Sequence, residues 1–330
     1  MSDVIPVGSS EIHQELLQAI EKVAATEAEI LINGPTGVGK ELYARLIHSL
    51  SRRSERPFVP VNCGSLSDGL LENELFGHVR GAFTGAQPIS EGLVHAAEGG
   101  TLFLDEVDSL AMGCQVRLLR FLQEREFRRL GETRLRRANV RVLAATNCDL
   151  RAAVNEGWFR NDLYFRLHVV PIDVPPLRER IEDLEELVSI FADRYAKTYE
   201  LRPIRLSESA LECLRSYSWP GNIRELENCI CYLTCMQPKG PVLPGELPLL
   251  NDAENDGTAD PGSRTLGTID TSFQAAKQDT IVNFERGYLE TALRRSGGNI
   301  SQAARASGKA RRAFFELMRK HAIDATEFKV

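Results

Sequence analysis

Residues 34–40, Gly34-Pro35-Thr36-Gly37-Val38-Gly39-Lys40, fit the pattern G-x-x-x-x-G-K, and no other segment restricts the fold of this chain so strongly. The pattern works as a loop between a strand and a helix. Its glycines let backbone N–H groups close around phosphate, the helix N-terminus adds its positive end, and the lysine supplies a point charge. Both flanks meet the requirement: Glu29–Asn33 (EILIN) reads as a buried strand, and Lys40–Leu50 carries Leu42, Leu46, Ile47 and Leu50 at helical spacing. Four more short apolar runs alternate with helical patterns, at Phe58–Asn62, Thr101–Asp105, Val140–Asn147 and Val169–Val174. Alternation of this kind predicts an α/β fold with a mostly parallel sheet flanked by helices on both faces.

After Pro175-Pro176 the pattern turns helical throughout. Ile181–Tyr199, Ser207–Tyr217 and Asn222–Met236 read as helices, with Ser207 as an N-cap and Pro220-Gly221 marking the break before the third. Asn251–Gly262 holds four acids, no Lys or Arg and no large apolar residue, the composition of a linker. The expected organisation is therefore an α/β nucleotide-binding unit over residues 1–176, a helical lid over 177–247, an acidic linker over 248–272 and a terminal helical domain over 273–330.

Charge separates these parts. The whole chain carries −6, a poor match to a nucleic-acid-binding protein, yet Phe284–His321 has nine basic residues against three acids, which leaves −12 for the remainder. Asn299–Gly308 followed by Lys309–His321 reads as helix, glycine turn, helix, the pattern of a helix-turn-helix. Arg305, Lys309, Arg311, Arg312, Arg319 and Lys320 are its candidate DNA-binding residues. No apolar run approaches the ~18 residues of a membrane span, and the first ten residues lack the features of a signal peptide, so a cytoplasmic location is expected. Seven scattered cysteines without a C-x-x-C pair, and six histidines without H-E-x-x-H, give no metal-site pattern.

Chemistry concentrates around the glycine loop. Gly34, Pro35, Thr36, Gly37, Val38, Gly39, Lys40 and Glu41 are the candidate nucleotide-binding residues; Glu41 stands where most such loops place a metal-binding hydroxyl, so the metal must be held by phosphates, water and another carboxylate. Asp105, ending the apolar strand TLFLD, is that carboxylate, and Glu106 beside it is placed to polarise an attacking water. Asn147, at the end of VRVLAATN, is positioned to contact the γ-phosphate or the water. Gly81-Ala82-Phe83-Thr84-Gly85-Ala86 reads as an exposed loop whose tip carries an apolar anchor and a hydroxyl.

This GAFTGA sequence, preceded by Glu74-Leu75-Phe76-Gly77-His78, resembles the hallmark loop of the bacterial enhancer-binding proteins, AAA+ ATPases that activate RNA polymerase carrying sigma-54. The resemblance covers essentially the whole chain, including a P-loop of the form GPTGVGKE. It implies an AAA+ P-loop NTPase core with an all-helical lid and a C-terminal helix-turn-helix domain, ATP and Mg2+ as cofactors, and Gly81–Ala86 as the sigma-54 contact. It implies that Asn62 pairs with Glu106 and relays the nucleotide state to the loop. Phe159–Leu167 is similar to the segment that projects arginines into the neighbouring subunit's site. Arg160 and Arg166 lie 240° apart on a continuous helix, so they cannot point the same way. Trp219–Leu226 looks like the family's second sensor, with Arg224 reaching the phosphates from the lid.

The partners so implied are sigma-54 and RNA polymerase, enhancer DNA, and further subunits in a dimer-to-hexamer assembly or a mixed ring. About ten residues precede the ATPase core, so the expectation is control in trans, by a protein that binds the ATPase domain, by co-assembly with a related subunit or by expression level, rather than by an attached receiver domain. The two rival readings are a DNA-binding regulator that uses ATP only to assemble, and an AAA+ machine with another target. Lys309-Ala310 and Glu316 depart from the family's usual tail pattern and leave the recognised DNA sequence open.

Overall fold

The structure, a computed structural model, describes residues 6–65, 68–82 and 89–248, together with Leu293, Ser296, Ile300, Gln302, Ala303 and Met318. The chain divides into two units, Met1–Thr258 and Ala259–Val330. In the second, Leu293, Ala303 and Met318 are buried; the helix-turn-helix candidates Arg305, Lys309, Arg311, Arg312, Arg319 and Lys320 lie outside the described residues, as do Phe83, Thr84, Gly85 and Ala86.

Helices in the first unit are α1 (Glu11–Ala24), α2 (Lys40–Ser49), α3 (Asp68–Phe76), α4 (Leu93–Ala96), α5 (Met112–Glu124), α6 (Leu150–Asn155), α7 (Asn161–Leu167), α8 (Leu184–Tyr199), α9 (Glu208–Ser216) and α10 (Asn222–Met236). Strands are β1 (Ile30–Asn33), β2 (Phe58–Asn62), β3 (Thr101–Asp105), β4 (Glu126–Phe127), β5 (Arg136–Arg137), β6 (Arg141–Thr146) and β7 (Val170–Asp173). Five strands form one sheet in the order β2-β3-β6-β1-β7 with every pairing parallel. All five strands read from the sequence are present, each within a residue or so at either end. The two-residue β4–β5 hairpin is too short to leave a periodic signal.

Alternate residues of the central strands enter two different cores. Leu31, Leu102, Leu104, Val142 and Ala144 pack with α3, α5, α6 and α7 on one face; Ile30, Ile32, Phe103, Leu143 and Ala145 pack with α1 and α2 on the other. Burial on both faces explains the near-continuous apolar runs. The expected buried face of α2 needs correction: Tyr43, Ala44, Ile47 and His48 are buried, whereas Leu50 is 46% exposed. The helix turns Tyr43 and His48 inward because each finds a polar partner there, His13 and Thr101 respectively.

A third core holds the lid, where Leu184, Leu187 and Phe191 of α8 meet Leu214 of α9 and Leu226 and Ile230 of α10 around Trp219. Ser207 caps α9, its Oγ accepting from Ala210 N. The helix expected from Ile181 starts at Leu184 instead. Before it, Leu177–Asp183 forms a 3-10 stretch broken at Arg180 (φ −135°, ψ 46°). Tertiary contacts impose the break. Asp183 accepts hydrogen bonds from Ser9 N, Ser10 N and Ser10 Oγ ahead of α1, and the buried Arg180 guanidinium reaches His13 Nδ1 and Tyr43 Oη, each at 3.0 Å.

Candidate active site

The glycine loop leaves the carboxyl end of β1, whose neighbours are β6 on one side and β7 on the other. Ligands of open parallel sheets bind at such a point. A cavity of about 460 Å3 opens there between sheet and lid. Thr36–Glu41, Asp105, Glu106, Asn147 and Arg224 supply its polar wall; Val7, Leu187, Ile190, Phe191 and Ile223 supply an apolar one. Gly37 (φ 82°) and Gly39 (φ 90°) adopt left-handed conformations that turn the loop into α2. At Gly37 a Cβ would also collide with the Gly221 carbonyl of the lid.

Lys40 Nζ donates to the carbonyls of Gly34 (2.8 Å) and Pro35 (3.2 Å) and has no ion-pair partner among the described residues. Burial pulls its pKa down, a cost that Asp105, Asp108 and Glu106 partly offset. Asp105 is shifted upward by the same burial, opposed by its hydrogen bond from Glu106 N (3.0 Å) and by Lys40. Glu106 sits in a left-handed conformation (φ 53°, ψ 49°), which turns the chain sharply after β3. Asn147 Nδ2 donates to Thr36 Oγ1 at 3.1 Å. Glu41, half-exposed at the edge of the cavity, pairs with Arg45.

Strand register sets Asn62 opposite Asp105. Its Oδ1 accepts from Gly64 N at 2.9 Å, so in this conformation the expected bond to Glu106 is replaced by a local one. Both side chains flank Gly64, where a Cβ would strike the Glu106 carboxylate. Arg160 and Arg166 lie outside the cavity. Arg160 precedes α7 as its N-cap, so the continuous helix assumed for the 240° argument does not include it. The two still diverge. Arg160 forms a two-point contact with Asp162 (3.0 and 2.7 Å), whereas Arg166 donates to Leu122 O (2.8 Å) and approaches the buried Glu29 (3.8 Å).

The lid's backbone and side-chain bonds to the glycine loop, and several residues around the cavity, escaped the sequence reading. Arg224 N donates to Gly37 O at 3.1 Å, and Asn222, in a left-handed conformation (φ 53°), donates from Nδ2 to Thr36 O and accepts from Leu177 N, both at 2.9 Å. The Pro220-Gly221 break was legible; that its Asn would bolt lid to glycine loop was not. Gln115 is fully buried, its amide donating to Leu110 O and Trp158 O and accepting from Arg160 N. Arg194, packed over Phe191 and Tyr195 and paired with Glu227, edges the mouth of the cavity.

Gly81 (φ 81°) and Ala82 mark the departure of the loop read as an anchor. Its neck is closed: His78 and Ser90 exchange backbone hydrogen bonds at 3.1 and 3.0 Å, and Val79 N donates to Leu130 O next to the β4–β5 hairpin.

The residues fit a nucleotide triphosphate. Lys40, Arg180 and Arg224 line one cavity without ion pairs among the described residues, and apolar side chains supply another part of its wall. Among those residues no group of three or more His, Cys, Asp and Glu is placed to hold a metal ion. No described helix is long and apolar enough to cross a membrane.

Residues 6–173 match the Sigma-54 interaction domain family, residues 178–263 the AAA+ ATPase lid domain and residues 280–320 the Bacterial regulatory protein, Fis family. The chain is 42% identical over 323 residues to the transcriptional regulatory protein GlrR of Escherichia coli K12, covering 98% of this chain and 69% of that protein. It is 48% identical over 266 residues to the Sigma54-dependent transcriptional regulator SfnR of Pseudomonas fluorescens, covering 79% and 72%. A crystal structure of NtrX from Brucella abortus in complex with ADP is similar over 96% of this chain and 69% of that one, with a TM-score of 0.70 and 34% identity; a second, with ATP, has a TM-score of 0.70 at 33% identity. An AAA+ core with a nucleotide cavity, a helical lid and a Fis-type helix-turn-helix identify this chain as a member of the sigma-54-dependent transcriptional activators, ATPases that act on transcription.

Proposed function

We propose that ATP is bound and hydrolysed in the cavity between sheet and lid, with residues 34–41 around the phosphates and Lys40 as their principal charge. The cavity-lining cations without ion pairs among the described residues, Lys40 and Arg224 foremost, carry this reading. Asp105 would hold Mg2+, which supplies charge neutralisation on the phosphates. Glu106 orients and deprotonates the attacking water, Asn147 contacts the γ-phosphate side, and Arg224 reports the nucleotide state to the lid. Arg160 or Arg166 acts in trans in a ring of subunits, a hexamer or a mixed ring with a related chain. Arg160 has only the half-exposed Asp162 to leave, while Arg166 has a carbonyl and a buried carboxylate.

In this reading the Gly81–Ala86 loop contacts sigma-54 in the polymerase complex, and burial of Phe83 contributes about 2 kcal/mol per subunit. Support comes from the route: Asn62 ends β2 beside Asp105, and α3 runs from that corner to the closed neck at His78–Ser90. Residues 273–330 bind enhancer DNA, 248–272 link them to the lid at 177–247 and the core at 1–176, and the protein works in the cytoplasm.

The test is open-complex formation on a sigma-54 promoter. ATP should yield open complexes and a non-hydrolysable analogue should not; Thr84→Ala should abolish them while keeping ATPase activity. Open complexes from Thr84→Ala would remove the loop assignment.

A further inference from the structure

Immediately after Asp105-Glu106 the chain makes a single 3-10 turn, Val107–Ser109, and its middle residue, Asp108, faces the end of the neighbouring strand. Pairing of β3 with β6 stops at Leu104 and Ala144. Beyond that point the strands are joined by side chains. Asp108 Oδ1 accepts from Thr146 Oγ1 at 2.6 Å, and Thr146 is 1% exposed. Asp108 Oδ2 faces Cys148 Sγ at 3.5 Å, and the same thiol lies 3.1 Å from Asn147 Oδ1. Thr146 Oγ1 in turn accepts from Cys148 N at 3.1 Å.

We propose that Asp108 is a positioning residue for ATP hydrolysis, locking the turn after Glu106 to the Asn147 side chain. The chemistry is directional. A carboxylate accepts only, so the Thr146 hydroxyl must donate to it, which leaves the hydroxyl lone pairs for Cys148 N and fixes the backbone that bears Asn147. Burial and the Asp108 carboxylate keep the Cys148 thiol protonated, so its single S–H is a donor shared between two acceptors within reach, Asp108 Oδ2 and Asn147 Oδ1. With its Oδ1 turned to that thiol, Asn147 presents Nδ2 to Thr36 and to the cavity. Movement of the Asp105–Glu106 turn is thereby carried to Asn147 without passing through a ligand. The inference rests on the reading of Asn147 as part of the ATP site.

A double-mutant cycle in the full chain tests it, reading kcat and KM for ATP together with the thermal midpoint. Asp108→Ala should lower kcat about tenfold, the effect of losing one charge-assisted hydrogen bond, with KM within about twofold. Asp108→Asn, which still accepts from Thr146, should restore most of the loss. In an Asn147→Ala background, Asp108→Ala should cost less than about twofold more. An equal loss in both backgrounds, or no loss from Asp108→Ala in a chain that Asn147→Ala does slow, overturns the role of Asp108 alone. A silent Asn147→Ala overturns the reading of Asn147 and the proposal with it. Should Asp108→Ala fail to fold, Thr146→Val replaces it, with the same expected non-additivity and the same refuting result.

Discussion

Replacing Asn222 by alanine should loosen the lid from the glycine loop and destabilise the ATP-binding unit by about 3 to 5 kcal/mol. Asn222 is 3% exposed and spends both ends of its amide: Nδ2 on Thr36 O, Oδ1 on Leu177 N, each at 2.9 Å. Truncation strands the buried Leu177 N–H, at a cost of roughly 1 to 3 kcal/mol, and gives up the hydrogen bond to the partly exposed Thr36 carbonyl, worth about 1 kcal/mol. It also places alanine at φ 53°, where a Cβ costs about 1 kcal/mol more than asparagine does. At roughly 2 to 4 °C per kcal/mol for a unit of this size, the midpoint should fall by about 10 °C. Trp219, buried three residues away with its indole N–H on Leu214 O, provides the fluorescence readout. Asn222→Gly relieves the backbone strain and should recover about 1 kcal/mol of the loss. Asn222→Asp keeps the acceptor for Leu177 but sets a carboxylate against Thr36 O, so the KM for ATP should rise as stability falls. An alanine variant within about 1 kcal/mol of the parent, or a glycine variant less stable than it, would refute the assignment.

Lys40→Ala should raise the KM for ATP and reduce turnover at least about a hundredfold, since it removes the main charge on the phosphates; turnover at the parental rate counts against the cavity. Glu106→Gln should bind ATP normally while kcat falls by roughly 10^2 to 10^4, measured by phosphate release against nucleotide binding. Gln115→Met should slow hydrolysis through the displaced Arg160 backbone, and in an Arg160→Ala background the two losses should add only if Arg160 is not the group acting in trans. Acid sensitivity has a definite sign. His13 and His48 are both held below the ordinary histidine value of 6.5, chiefly by burial, so the folded chain binds fewer protons than the unfolded one. Their contribution is complete above 6.5 and is lost as pH falls from there toward their folded values, with a slope of up to about 1.4 kcal/mol per unit for each. His13→Gln should flatten that slope in denaturant titrations between pH 7 and 5; an unchanged slope would locate the sensitivity elsewhere.

Local chemistry announces itself in a sequence when one short segment supplies all of it. The glycine loop, the apolar strand ending in Asp105-Glu106 and the lid helix Asn222–Met236 could be read residue by residue because period, cap and motif coincide there. Gly81–Ala86 was read as an exposed loop, and the role proposed for it comes from resemblance rather than periodicity. What could not be read was pairing over distance. Nothing around Gln115 indicates that it would meet Arg160, and a polar residue inside an apolar helix reads the same whether it is satisfied or misplaced. The 3-10 stretch at Leu177–Asp183 was equally hidden, since its limits are set by Asp183 serving the N-terminus of α1 and by Arg180 reaching His13.

The sequence by itself determined the kind of protein: an alternating α/β core around a phosphate loop, a helical lid and a basic tail after an acidic segment, because motif spacing and charge order are properties of one dimension. The tertiary structure decided how those parts act on one another. A parallel sheet brings residues far apart in the chain to its carboxyl edge, so only the register that sets Asn62 by Asp105, and the bonds from Asp108 to Thr146 and from Asn222 to Thr36, turn separate motifs into one site.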